Sequence, residues 1–233
     1  MHRIYSLDFA SGEALAAGEA ERDKEDPMAP AVLAAGRLFS ELDRLQLLKD
    51  GGKAKGRPDA AVRRAMQAAG AEAVRRAEAR LRRDPDDSEA VTALMIAYGV
   101  ERDYLALVEK SYRTSWIAAR KAQEQALRLV AKHPGVKDAW FTIGFSDYLI
   151  ATVPFVFRPF MKMEQADGDR RRGVENLEKA AGGGRYLRGF AQMLLVNIYR
   201  KEGRKTDAER MLRELAREYP VNKAIRRELG DGL

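Results

Sequence analysis

Hydrophobic and small residues recur every three or four positions along most of the chain, which is the spacing that places them on one face of an α-helix. The pattern is clearest from Arg185 onward, where it breaks at residues 201–204 and then resumes. Pro220 ends it, because proline lacks the N–H group that another helical turn needs. This stretch predicts two antiparallel helices joined by a short turn.

The side chains of this predicted pair differ in size in a way that suits close packing. Leu195 and Tyr199 are large and lie on the first helix, whereas Ala208 is small and lies on the second. A small residue at the crossing point lets two helix backbones approach each other. We therefore predict that Leu195 and Tyr199 pack against the second helix across Ala208, and that a bulky residue at position 208 opens the pair.

Upstream segments repeat the same order of large, small and turn residues, with longer connections between their helices. The landmarks of the unit before the last are Trp140, Ile143, Gly144, Gly173, Leu177 and Ala180. The pattern predicts a partial unit over 1–27, full units over 28–85, 86–134, 135–184 and 185–220, and a C-terminal cap over 221–233. One helix pair cannot bury its own apolar faces, so several must stack. We predict a single all-α domain over residues 1–233.

The landmarks of the last pair resemble those of a tetratricopeptide repeat in order and in most of their spacing. They are Leu195, Tyr199, Gly203, Ala208, Leu212, Leu215 and Pro220. Gln192 departs from the pattern, since that repeat usually has an aromatic residue there. The chain also resembles bacterial members of the superfamily with lengthened helix pairs, in its opening Tyr5–Phe9, its interruption at Val153-Pro154 and its run Gly168–Tyr186. The resemblance implies a right-handed α-solenoid of about four hairpins with long insertions, and binding rather than catalysis.

Composition removes much familiar enzyme chemistry. The 233 residues include no cysteine and two histidines, which excludes thiol nucleophiles, disulfides and metal clusters rich in cysteine or histidine. The stretch GGKAKGRPD fails as a phosphate loop, because Arg57 and Pro58 stand where Lys and Ser or Thr are needed. No pair of carboxylates is marked as acid and base. We predict a protein that is not an enzyme, with no catalytic residue, cofactor or metal.

The net charge of +7 is concentrated in two blocks. Residues 51–86 carry ten Lys and Arg against five Asp and Glu, or +5, and residues 185–233 carry twelve against seven, also +5. Neighbouring acids accompany many of these cations, which favours solvated helix faces. Gly56-Arg57-Pro58 resembles the core of an AT-hook, but aromatic residues are not interleaved with the arginines as in a stacking platform. We predict a basic loop there and no specific nucleic-acid partner.

Two further stretches leave a functional interpretation open. Residues 181–185, AGGGR, precede a predicted helix whose free N–H groups are suited to an anion, although a turn between units is favoured. Arg170, Arg171 and Arg172 stand at a predicted helix start, where cations oppose the helix dipole. Such a conflict sometimes marks a site for an anion or acidic partner, and sometimes reflects only an arginine-rich composition.

The stretch ATVPFVFRPFMKM, residues 151–163, is the most apolar insertion in the chain. Pro154 and Pro159 break the helical ladder, so a kink or an extended segment is expected. Its three phenylalanines carry too much apolar area to be left in water. Packing on the protein's own neighbouring units is favoured, followed by docking of a partner and then by contact with a membrane surface, for which Arg158 and Lys162 offer few basic anchors.

The sequence contains no run of about 18 uncharged apolar residues, so we predict no transmembrane segment. The start lacks the apolar core of a secretory signal, which places the chain as written in the cytoplasm. The partial first unit is expected either where a leader or anchor has been removed or where a short cap begins the array. In the first case the compartment is the periplasm or envelope. Peripheral contact with a membrane is compatible with both.

We predict that a partner binds in the concave groove that first helices line in this superfamily. The candidate residues occupy inward positions or the insertion: Phe141, Phe145, Tyr148, Phe155, Phe157, Phe160, Phe190, Met193, Asn197 and Arg200. The opposing interpretation is that the aromatic residues fill the core between helices. The predicted function is a non-enzymatic scaffold or adaptor that binds another protein or peptide segment. The alternative is an envelope-associated assembly or lipid-proximal factor that uses the insertion 151–163.

Overall fold

The structure, a computed structural model, describes residues 1–48, 54–153 and 168–230. In these residues the chain is helical and contains no strand, which confirms the all-α prediction. A π-helical turn, Tyr104–Val108, follows the fifth helix. The helices are α1 (His2–Tyr5), α2 (Phe9–Arg22), α3 (Met28–Arg44), α4 (Ala60–Arg83), α5 (Ser88–Asp103), α6 (Tyr112–Lys132), α7 (Ala139–Thr152), α8 (Arg170–Gly183), α9 (Arg188–Lys201), α10 (Lys205–Glu218) and α11 (Lys223–Glu228).

The helices pack in the order of the chain. Each helix from α1 to α10 contacts the next one. In addition α3 packs on α5, and α5 contacts α7, so these three alternate helices form one row. Small residues make the approach close, because many alanines are almost completely buried between helices, among them Ala31, Ala34, Ala73, Ala77, Ala90, Ala93, Ala122 and Ala126.

Aspartates start many of these helices. The carboxylates of Asp8, Asp59, Asp87 and Asp169 accept hydrogen bonds from first-turn N–H groups of α2, α4, α5 and α8. A carboxylate at this end satisfies N–H groups that lack an intrahelical partner, and it complements the helix dipole. The predicted turn at 201–204 lies between α9 and α10, where Gly203 takes the left-handed conformation with φ +74°. Local chemistry therefore sets where α2, α4, α5 and α8 begin and where α9 ends.

Helices α7 and α8 come together backbone to backbone. A Cβ atom on Gly144 would lie 2.7 Å from the carbonyl oxygen of Gly173 and 2.8 Å from the backbone nitrogen of Leu177. The same crossing holds Asp147, whose fully buried carboxylate accepts two hydrogen bonds of 2.8 Å from the Arg172 guanidinium. A bidentate pair of this kind fixes both position and orientation. The glycines set the separation of the two helices, and the ion pair sets their register.

Helices α9 and α10 pack on each other, and the three residues predicted to lie between them are buried. Leu195, Tyr199 and Ala208 are all buried, with relative exposures of 0%, 2% and 4%. They belong to the same hydrophobic cluster. The Tyr199 hydroxyl donates to the Glu178 carboxylate of α8 at 2.7 Å, which ties this pair to the preceding one.

Candidate partner-binding site

Helix α1 is hydrogen-bonded to the segment of residues 186–222, near the C-terminal end of the described chain. The Tyr5 hydroxyl donates a 2.8 Å hydrogen bond to the carbonyl oxygen of Tyr186. The backbone carbonyl of Tyr5 accepts a 2.7 Å hydrogen bond from the side-chain amide of Asn222. His2 adds a third link, since its Nε2 lies 3.1 Å from the carbonyl oxygen of Glu218. Helix α1 is therefore held by the segment that carries α9, α10 and α11.

Tyr5 lies in a slot that a glycine creates. A Cβ atom on Gly189 would lie 2.8 Å from the Tyr5 ring and 2.8 Å from the Tyr219 hydroxyl oxygen. The Tyr5 ring meets Tyr219 edge-on at 5.7 Å and Phe39 edge-on at 6.1 Å, which are favourable aromatic geometries. Burial raises the pKa of the Tyr5 phenol well above its usual range. The hydroxyl therefore stays protonated and remains a donor.

Ile4, the residue before Tyr5, packs against α2 and α3. A Cβ atom on Gly12 would lie 3.1 Å from Cγ1 of Ile4, and one on Gly36 would lie 3.3 Å from its Cδ1. Ile4 thus occupies a gap between α2 and α3 and is 2% exposed. Ile4 therefore connects α1 to α2 and α3, whereas Tyr5 connects it to the segment that carries α9, α10 and α11.

An apolar cavity of about 240 Å³ lies beside α1. Its walls come from α1, α3, the π-helical turn, α9, α10 and α11. Leu48 and Leu107 line it while each remains 41% exposed. Its polar lining includes Asp103, Asn197 and Glu228. The cavity therefore combines an apolar interior with hydrogen-bond acceptors.

The predicted residues divide between this cavity and the core. Phe190, Met193 and Asn197 line the cavity, and all three are half-buried. Arg200 is exposed and forms a 2.7 Å ion pair with Glu228, which does line it. Phe155, Phe157 and Phe160 lie outside the described residues.

The remaining predicted aromatic residues pack between helices. Phe141 and Tyr148 are 2% and 9% exposed. The Phe141 ring stacks on Phe145 at 5.9 Å and meets Phe190 at 5.0 Å. The guanidinium carbon of the buried Arg102 lies 4.5 Å from the centre of the Phe145 ring, which is a cation–π contact. This aromatic cluster adjoins the cavity, because Phe190 contacts Phe141 and also lines the cavity wall.

Several lining residues were not predicted from the sequence. Ile4, Phe39 and Ile225 belong to the walls of the cavity, as does Tyr5. The adjacent apolar residues Ile4 and Tyr5 were the available signal for α1. Nothing local in the sequence indicates that its contacts lie more than 180 positions away, as the Tyr5–Tyr186 hydrogen bond does.

The two stretches with an open functional interpretation have structural partners. The Asp138 carboxylate accepts hydrogen bonds from the backbone N–H groups of Arg185, Tyr186 and Leu187 at 2.9, 2.8 and 2.6 Å. The N–H groups suited to an anion therefore hold the protein's own carboxylate.

The arginines at the start of α8 are likewise engaged. Arg170 pairs with Glu202 at 3.1 Å, Arg171 pairs with Glu175 at 3.3 Å, and Arg172 binds Asp147. These pairs bind the start of α8 to its neighbours and offset the unfavourable position of the cations.

Within the described part of the chain, no group of three or more acidic or histidine side chains is placed to hold a metal ion. None of the described helices is both long enough and apolar enough to cross a membrane. The chain matches no protein-family model, and a search of curated proteins finds no match either. The interpretation of the site therefore rests on its geometry.

Proposed function

We propose that the chain is a right-handed α-solenoid of the tetratricopeptide type. The packing of each helix on the next supports this assignment, as does the row that α3, α5 and α7 form. In such an array the alternate first helices face the concave side, and α3 and α9, which would be first helices on this proposal, contribute to the wall of the cavity beside α1.

On this fold the protein acts as a non-enzymatic scaffold that binds an apolar segment of another protein. The observation that carries this function is the cavity of about 240 Å³ between the first and last helices, with Leu48 and Leu107 partly exposed at its wall. Apolar surface left in water costs about 25 cal/mol per Å², so an occupant that covers these leucines is favoured.

The size of the cavity favours a side chain over a cofactor. Small-molecule sites usually enclose ~300–1,000 Å³, whereas this cavity measures about 240 Å³. That volume suits the anchoring side chain of a protein segment, which is the usual form of an interface hot spot. Asn197 provides an acceptor for an N–H group of the bound segment. The carboxylates of Asp103 and Glu228 already pair with Arg102 and Arg200, and each retains lone pairs that can accept a further hydrogen bond.

A selection from a library of displayed peptides tests this function. Peptides selected on the wild type should contain an apolar anchor and should bind with micromolar dissociation constants. Leu107→Arg, which places a charge in the cavity wall, should weaken them at least tenfold. Leu15→Arg is the matched control, because Leu15 is 58% exposed on α2 and is not part of the cavity wall.

Circular dichroism of both variants checks that helix content is kept. Met193→Ala, which removes apolar contact without adding charge, should weaken the same peptides in the same direction. Failure to enrich any peptide would contradict the proposed function, and so would peptides that bind the Leu107 and Leu15 variants equally well.

A further inference from the structure

The surface that holds α1 is built independently of α1. Asn222 is 2% exposed, and its side-chain oxygen accepts hydrogen bonds from Ala224 and Ile225 at 2.9 and 3.1 Å, which fixes its amide toward Tyr5. The carbonyl of Tyr186 is held by the turn that Asp138 organises. The groups that contact Tyr5 on this side come from Tyr186, Gly189, Tyr219 and Asn222. All four residues lie within 186–222 and outside α1.

Helix α1, by contrast, has little structure of its own. It is a single turn of four residues, His2–Tyr5, and isolated helices of that length are unstable in water. Leu7 joins it to α2 in the left-handed conformation, with φ +61°, which costs roughly 1 kcal/mol for a residue other than glycine. The contacts of Ile4 and Tyr5, rather than the helix itself, therefore keep α1 in place.

The two neighbouring side chains of α1 meet complementary surfaces. The aliphatic Ile4 fills the gap over Gly12 and Gly36, and Tyr5 fills the slot over Gly189. Two polar groups of Tyr5 form hydrogen bonds with this surface. The hydroxyl donates to the carbonyl oxygen of Tyr186, and the backbone carbonyl accepts from the side-chain amide of Asn222. The surface is therefore complementary in shape and hydrogen bonding to an aliphatic residue followed by tyrosine.

We propose that this surface is a recognition site for an aliphatic–tyrosine pair, and that a partner protein carrying such a pair binds by displacing α1. The inference rests on the proposed function and names the chemistry of the partner and its regulation. The covalently attached α1 is a competitor in the same molecule. A tether of this kind gives an effective concentration of about millimolar, so it sets a threshold that the partner must exceed. Displacement of α1 also enlarges the cavity, because Ile4, Tyr5 and Leu7 form part of its wall.

A synthetic peptide with the sequence of residues 1–8, labelled with a fluorophore at its C-terminus, is the probe. Tyr5→Ala in the full chain removes the anchor of the internal competitor, and anisotropy then measures binding of the peptide. We expect this variant to bind the peptide about 10–100 times more tightly than the wild type does, because the wild-type site is already occupied. Replacing tyrosine by alanine in the peptide should abolish the binding.

Two controls separate recognition from nonspecific contact. Gly189→Ala in the Tyr5→Ala background puts a Cβ atom where the tyrosine ring lies, so binding should fall at least tenfold. Gly99→Ala in the same background is the matched control and should leave binding unchanged, since no described atom other than its own helix lies within 4 Å of the added Cβ. If Tyr5→Ala loses helix content, Tyr5→Phe serves instead, because it removes only the hydroxyl and should still bind the peptide more tightly than the wild type.

The proposal is overturned if the peptide does not bind the variants at position 5, binds them without its tyrosine, or binds the wild type equally well. Light scattering tests whether a second copy of this chain is the occupant. A wild-type dimer that the free peptide converts to monomer would overturn the proposal of a separate partner. The two proposals can fail separately. If the selected peptides depend on Leu107 but the peptide of residues 1–8 does not bind, the proposed function stands and only this inference is wrong.

Discussion

The crossing of α7 and α8 gives the sharpest test of the packing. Gly144→Ala adds one methyl group at a point where the nearest atoms are backbone. The added Cβ would lie 2.7 Å from the Gly173 carbonyl oxygen and 2.8 Å from the Leu177 nitrogen, whereas ordinary contact begins at 3.4 Å. No side-chain rotation relieves these contacts, so the two helices must move apart by several tenths of an ångström.

Two opposing terms set the size of the effect. Forcing an extra methyl group into a close-packed interface usually destabilises by about 1–3 kcal/mol. Alanine is intrinsically a better helix former than glycine by about 1 kcal/mol, which offsets part of that loss. Separation of the helices also stretches the buried pair between Asp147 and Arg172, whose two hydrogen bonds are both 2.8 Å long. The overpacking and propensity terms together leave a net loss of about 0–2 kcal/mol in the free energy of unfolding, and strain on the ion pair adds to that loss.

Urea unfolding followed by circular dichroism at 222 nm measures the effect. Gly99→Ala is again the matched control, because it lies within α5 and its added Cβ meets no described atom outside its own helix within 4 Å. The control should gain about 0.5–1 kcal/mol from helix propensity alone. Shifts of the same sign and size in both variants would refute the reasoning, since they would show that backbone propensity, rather than the crossing, controls position 144.

Two further predictions concern carboxylates. Asp138→Ala removes the acceptor for three backbone N–H groups, so unfolding should become easier by about 2–3 kcal/mol in the same urea assay, while Glu214→Ala on the exposed surface of α10 should change little. Hydrogen bonds from Arg75, reinforced by Arg76, lower the pKa of Glu72 from 4.5 to about 2. The ionised Glu72 carboxylate therefore contributes fully to the free energy of unfolding above pH 4.5, and this contribution is lost as the pH falls towards 2. Because the side chain is partly exposed, the contribution is limited to about 1 kcal/mol. The difference in urea midpoint between wild type and Glu72→Gln should shrink across that interval, and a difference that stays constant with pH would contradict the assignment.

Local signals in the sequence were sufficient for the all-α class and for the last helix pair. The 3.6-residue periodicity predicts the class. Gly203 marks the turn because glycine can take the left-handed conformation, and Pro220 marks the end because proline lacks the N–H group of a further helical turn. The inward positions that the resemblance implies include Phe190, Met193 and Asn197, and these three residues line the cavity from one face of α9. These features depend on residues within a few turns of one another.

Contacts between distant parts of the chain were beyond that reasoning. The sequence shows free N–H groups at residues 185–187, but the carboxylate that binds them belongs to Asp138, 47 positions earlier at the nearest. Likewise, aromatic composition cannot distinguish a core residue from a groove residue. Phe141 is buried because Phe145 and Phe190 surround it, and that arrangement depends on how α7 meets α9.

The contact between α1 and the last helices also changes how the array is expected to lose its structure. An open row of repeats can fray from either terminus, because each terminal repeat has only one neighbour. Here α1 is hydrogen-bonded to Tyr186, just before α9, and to Asn222, just before α11, so within the described residues α1 is not a free edge from which unzipping starts. Unfolding of α1 must first break these links, which couples it to the last described helices in one cooperative transition.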